Sequence, residues 1–205
     1  MEAVSVPLVE YGIARFALPG HGESGDHCFV RGTPGGLLIA AIDGIGHGEE
    51  AALAAKTAIS VLESHQDEPI ITLVQSCHEN LKSTRGVVMS LALIDSVHGM
   101  MTWLGVGNVQ GVLMRAGARK GTVQEVMLQR AGVVGSQLPP LQASVLPIAR
   151  GDTLIFVTDG IRGEFFQGLS SMEPPQRAAD KILEGYCPGK DDALVLVARL
   201  TGIRP

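Results

Sequence analysis

Charge and aromatic rings are both scarce in this chain. Of 205 residues, 18% are Asp, Glu, Lys or Arg and 4% are Phe, Trp or Tyr. Cysteine is nearly absent too. Cys28, Cys77 and Cys187 are odd in number, far apart and never in a Cys-x-x-Cys pair. That spacing excludes a disulfide framework and a thiolate zinc site, and it fits a reducing cytoplasm. No run approaches the ~18 uninterrupted apolar residues of a membrane span. The opening Met1-Glu2-Ala3 lacks the basic stretch and apolar core of a signal peptide. A net charge of −5 with no long basic run counts against a nucleic-acid partner. Disorder is excluded by the 45% hydrophobic content, because disordered chains bury too little apolar surface to offset their ordering entropy.

What is present is Ala, Val, Leu and Ile cut up by 26 glycines, a pattern of short strands and tight turns within one domain over residues 1–205. Residues 4–18 read as two strands broken near Tyr11-Gly12, and 28–31 as a short strand. Residues 37–42 form a continuous apolar run too short for a helix, hence a buried strand that stops at Asp43-Gly44. A helix over 49–65 puts Ala51, Ala55, Ala58 and Leu62 on one face. Pro69 opens a second, with Ile70, Leu73, Val74, Cys77 and Leu81 as its apolar stripe. The period then changes, and 87–94, 100–106, 109–115 and 123–129 read as successive antiparallel neighbours joined by short turns. Residues 152–158 are another buried strand, stopping at Asp159-Gly160. Pro174-Pro175 opens a last helix with Ala178, Ala179, Ile182, Leu183 and Tyr186 inward, and 193–200 close the chain as a strand. The class is α+β, dominated by antiparallel strands.

Asp43 and Asp159 each stand where a wholly apolar strand ends, and Asp191 where another begins. Carboxylates at strand ends can converge on one edge of a core, where they repel unless a hard divalent cation intervenes. On pattern alone, three unrelated turns remain the alternative.

The stretch Ala41-Ile42-Asp43-Gly44-Ile45-Gly46-His47-Gly48, followed by an Ala-rich helix, resembles the first metal motif of the bacterial SpoIIE-like branch of PPM-type (type 2C) serine/threonine phosphatases. Phe156-Val157-Thr158-Asp159-Gly160-Ile161 resembles their second metal motif and Lys190-Asp191-Asp192-Ala193-Leu194-Val195-Leu196-Val197 their closing one. Leu104-Gly105-Val106-Gly107-Asn108-Val109 and Ala149-Arg150-Gly151-Asp152-Thr153-Leu154 fall where that family places strand and turn motifs. The ordered set spans nearly the whole chain.

The resemblance implies an αββα sandwich, two central and mainly antiparallel β-sheets flanked by helices, and a protein phosphatase using two Mn²⁺ or Mg²⁺ ions. It implies that Asp43 bridges the ions, that the Gly44 carbonyl binds one, and that Asp159 and Asp191 complete the shell of the other. Asp26, in Ser24-Gly25-Asp26, would hold a metal-bound water, and Asp192 would support rather than ligate. A hydroxide between the ions would attack phosphorus directly, so no Cys or Ser nucleophile motif is needed. Within the family, the short length and Gly105-Val106-Gly107-Asn108-Val109 most resemble stand-alone feedback phosphatases of the stressosome. That implies phosphorylated STAS-domain proteins as partners, and no sensor, receiver or membrane domain is legible beside the catalytic one.

Departures from the family pattern are Ile45, where eukaryotic relatives carry a histidine, and Arg162, where many bacterial members carry an acid. His47 is expected to pack in the loop or to help start the helix, Arg15 is a candidate phosphate ligand, and the basic loop Arg115, Arg119, Lys120 is a hairpin end or a dock for an acidic partner. Two further readings stay open: a related binding module without turnover, and another two-metal hydrolase such as a nuclease.

Overall fold

Apolar runs that show no alternation become strands covered on both faces, since successive side chains of a strand point to opposite sides. The computed structural model describes residues 4–203 except 7, 21, 117–123 and 171–172. In β4 (Gly36–Gly44), Leu37, Ile39 and Ala41 enter one core while Leu38, Ala40 and Ile42 enter another. The same division holds in β5 (Val87–Asp95), β10 (Thr153–Val157) and β11 (Ala193–Leu200), where for instance Leu194 and Leu196 face one way and Val195 and Val197 the other.

The remaining elements are β1 (Val4–Val6), β2 (Val9–Phe16), β3 (Asp26–Thr33), α1 (Glu49–Ser64), α2 (Ile70–Leu81), β6 (Met100–Val106), β7 (Gln110–Met114), β8 (Gln124–Val126), β9 (Ser144–Pro147) and α3 (Pro175–Tyr186). Six strands form one sheet in the order β1-β2-β11-β10-β7-β8, and five form a second in the order β3-β4-β5-β6-β9. Every pairing of these strands is antiparallel. The sheets bury one core between them. A second core lies between the five-stranded sheet and α1 with α2, and a third between the six-stranded sheet and α3. This is the four-layer αββα sandwich that the resemblance implied. The expected faces of the first two helices are buried at the expected residues, from Ala51 to Leu62 and from Ile70 to Leu81. Among the described residues no helix is long and apolar enough to cross a membrane.

Several expectations need correction. The first strand pair does not break at Tyr11-Gly12, because β2 runs unbroken from Val9 to Phe16. Gly12 serves a different need: a Cβ there would stand 2.3 Å from the Gln176 backbone, so its bare Cα lets the start of α3 lie flush on the strand. Gln176 then completes the join, accepting from Ile13 N–H at 3.0 Å and donating Nε2–H to the Ile13 carbonyl at 2.9 Å. Strands β6 and β7 are not neighbours either. Between them the chain crosses from one sheet to the other, and the buried Ser90 hydroxyl secures the crossing by donating to the Val109 carbonyl at 2.6 Å. Strand β9 carries no apolar alternation and was not expected. Cys77 is buried as expected, but Cys28 and Cys187 are only half-buried, and all three are free thiols.

In the basic loop, Arg119 and Lys120 lie outside the described residues. Arg115 is committed to structure: its guanidinium donates to Glu125 at 2.9 Å and to buried Asp152 at 2.9 Å.

Gly12→Ala should force α3 off β2, and we expect a loss of about 2 kcal/mol or more in urea unfolding. A loss under about 0.5 kcal/mol, the range of an inert surface change, would show that the contact is looser than described.

Candidate active site

Adjacent antiparallel strands put the start of one beside the end of the other. In the five-stranded sheet this sets Asp26, first residue of β3, directly across from Asp43 near the end of β4. Directly opposed residues project on the same face. In the other sheet the chain leaves β10 through Thr158 and Asp159 and enters β11 through Asp191 and Asp192. Those two segments touch at Gly160, where a Cβ would stand 2.0 Å from the Asp192 carbonyl oxygen. All five aspartates line one cavity of about 490 Å³ at the same end of the sandwich, with Ile45, Gly46, His47, Val88, Gly107, Asn108, Ala131 and Gly132 completing the wall.

Three of the five carboxylates are held by specific donors. Thr158 Oγ1 donates to Asp26 Oδ2 at 2.7 Å and accepts from Leu194 N–H at 2.8 Å, so one buried hydroxyl links β3 of one sheet to β11 of the other. Asp192 accepts backbone N–H groups at both oxygens, Leu18 at 2.8 Å and Gly25 at 3.0 Å, which pins the loop leading into β3. This is the supporting role expected of it. Asn108 Nδ2 donates to Asp159 Oδ2 at 2.9 Å.

Crowding shows in the acidities. Burial first, then Asp26, Asp159, Asp191 and Asp192, push Asp43 up to about 8. Burial also pushes Asp26 up to about 7 against the opposing Thr158 bond, with Asp192, Asp159 and Asp191 adding to the shift. Asp159 is raised by partial burial and then by Asp191, while Asn108 and Arg162 oppose the rise. Like charges held together in a partly desolvated site resist ionising in just this way.

Among the described residues, no three His, Cys, Asp or Glu side chains already stand close enough to enclose a metal ion. The chemistry of the donors nevertheless fits one. They are carboxylate oxygens whose charges go largely uncompensated, the set that hard divalent cations prefer, and such an ion would remove the repulsion that raises Asp26 and Asp43.

The structure brings Asp26, Asp43, Asp159 and Asp191 together, with Gly44 adjoining Asp43 in β4. Ile45 packs against the core between the sheets, and His47 is an exposed part of the cavity wall. Arg15 is not at the site: it lines a separate cavity of about 350 Å³, with its Nη2 3.1 Å from Cys28 Sγ. Arg162 is exposed and acts on Asp159 through its charge. Sequence reasoning assigned no role to Thr158 or Asn108. Thr158 could have been flagged as the lone hydroxyl ending an apolar run, and Asn108 as the one polar side chain of a glycine-valine turn. Ala131 and Gly132 carry no such signal.

The SpoIIE family model (Stage II sporulation protein E) matches residues 33–201. Phosphoserine phosphatase RsbX of Bacillus subtilis (strain 168) is 27% identical over 89 residues, which make up 43% of this chain and 45% of that protein. Among solved structures, a chain of the bacterial stressosome, described as a modular system adapted to control secondary messenger signaling, is 30% identical with a TM-score of 0.83, over 93% of this chain and 99% of its own. RsbX in complex with magnesium superposes with a TM-score of 0.85 at 19% identity, over 98% of this chain and 99% of its own, a likeness of fold.

The acidities also set a pH dependence. Asp26 and Asp43 are raised from an ordinary 3.8 to about 7 and about 8, so between those limits the folded chain keeps protons that the unfolded chain has released. Stability from this source falls as pH rises through that window and levels off above it. In chelator-treated protein we expect denaturant unfolding to show the fall between about pH 5 and about pH 8, and Asp43→Asn to be more stable than the parent at the upper end. A parent as stable as the variant there would contradict the crowding.

Proposed function

The chain belongs to the SpoIIE family of PPM-type phosphatases, and on that premise we propose that residues 1–205 form a single domain that hydrolyses phosphoserine or phosphothreonine on partner proteins with the aid of two divalent cations. The observation that carries this reading is the convergence of five aspartates, from the ends of strands in both sheets, on one cavity. We assign Asp43 and the Gly44 carbonyl to the first contacts with the ions, and Asp159 and Asp191 to the other side of the site. Bound there, Mg²⁺ or Mn²⁺ would supply Lewis-acid activation of water and the positive charge that an in-line phosphoryl transfer needs.

The protein's own groups have separable tasks. Asp26 gives its Oδ2 to the Thr158 hydroxyl, which leaves Oδ1 to accept a proton from water, and its raised acidity suits that exchange near neutral pH. Asn108 fixes the rotation of Asp159 by holding one of its oxygens. Asp192 carries no proton in this scheme: by pinning Leu18 and Gly25 it sets where β3 begins, and hence where Asp26 stands. Ile45, turned to packing, contributes no acid, so the proton for the departing serine oxygen must come from elsewhere on the wall or from solvent.

Likeness to RsbX and to a stressosome chain supports phosphorylated STAS-domain proteins of a stressosome as substrates. The three scattered cysteines support a cytoplasmic setting. Purified protein should release phosphate from a phosphoserine peptide when Mn²⁺ or Mg²⁺ is added and stop when chelator follows. Asp43→Asn should lower the rate at least about a hundredfold. Metal-independent turnover, or full activity in Asp43→Asn, would sink this assignment; binding of partner without turnover would favour a non-catalytic regulator.

A further inference from the structure

A phosphoserine side chain arrives as a dianion at a cavity walled by carboxylates, so its charge calls for a cation at the rim as well as within. Arg15 stands in another cavity and cannot supply it. Arg85 stands at the rim. The segment between α2 and β5 is fastened to the loop after Asp43 by the Ile45 N–H, which donates to the Gly86 carbonyl at 3.0 Å. Next in that loop, Gly46 lines the cavity with φ +94°, and Arg85 Nη1 lies 2.6 Å from the point where a Gly46 Cβ would stand. A side chain at 46 would displace the guanidinium. The other nitrogen, Nη2, pairs with Glu50 in the first turn of α1, and the pair is open to solvent, with Arg85 50% and Glu50 67% exposed.

We propose that Arg85 binds the phosphate of the incoming phosphoprotein and that Glu50 is the counter-ion it leaves to do so. The proposal rests on the phosphatase reading above. An exposed ion pair is held weakly in water. A guanidinium gains from exchanging one carboxylate for a phosphate dianion, whose oxygens match its planar fork. The bare Gly46 gives that fork its place beside the cavity.

Two variants break the same ion pair and separate the alternatives. If Arg85 and Glu50 serve only to brace α1 against the loop, Arg85→Ala and Glu50→Gln will change phosphate handling in the same direction. If Arg85 is the phosphate ligand, the two will move oppositely. In Mn²⁺-loaded protein we expect Arg85→Ala to weaken binding of inorganic phosphate by about tenfold or more in calorimetry and to raise KM for a phosphoserine peptide alike. Arg85→Lys should fall between, and Glu50→Gln should bind phosphate as tightly as the parent or tighter. Unchanged phosphate affinity in Arg85→Ala, or parallel loss in Glu50→Gln, overturns the proposal. The calorimetric measurement reads Arg85 directly, so a parent that binds phosphate but never turns over would count against the phosphatase reading and leave the role of Arg85 decided.

Discussion

Repulsion among five carboxylates at one end of the sandwich is the constraint around which the rest of the structure is arranged. Left alone, such a group would drive the two sheets apart or keep its protons, and Asp26 and Asp43 show the second response. What opposes separation is the apolar core between the sheets, from Leu37 and Ile39 on one side to Leu194 and Leu196 on the other. The hydrophobic effect acts along the whole length of the strands, whereas the repulsion acts at their ends, so the fold can carry the strain locally.

The site is also braced from within. Thr158 bonds both Asp26 and the β11 backbone, Asp192 holds the loop that starts β3, and Asn108 holds Asp159. Each brace spans a boundary: the first joins the two sheets, the second joins the sheets through the 17–25 loop, and the third comes from the turn where the chain crosses between them. Asp43 and Asp191, the residues assigned to the metal, are the two carboxylates of the group outside these braces. That division suits a site in which the supporting acids are satisfied by the protein and the ligating ones are left for an ion.

The sandwich also puts a binding surface beside the acids without mixing opposite charges in one pocket. The loop after Asp43 has glycine at 46, which admits Arg85, and isoleucine at 45, which anchors the same loop to the core. One short segment thus supplies a metal ligand, a packing contact and a berth for a cation in successive positions.

Much of this was legible in the residues in order. Helical periodicity marked the buried faces of α1 and α2 because each helix presents one side to a single layer, and unbroken apolar runs marked β4, β10 and β11 because two layers cover them. Asp43, Asp159 and Asp191 were visible for the same reason: a charge that interrupts an apolar run must lie where the strand leaves the core. The tertiary structure alone decided which elements face one another. A short turn after Val106 serves equally for a hairpin or for a crossing between sheets, and Gly12 looks the same in a turn as beneath a helix. Thr158 and Asp26 are 132 positions apart, and Asp192 and Gly25 are 167 apart, so no local pattern relates them. Burial leaves its mark on neighbouring residues because it depends on one face of one element, while hydrogen bonds and charge pairs between layers depend on how those layers pack.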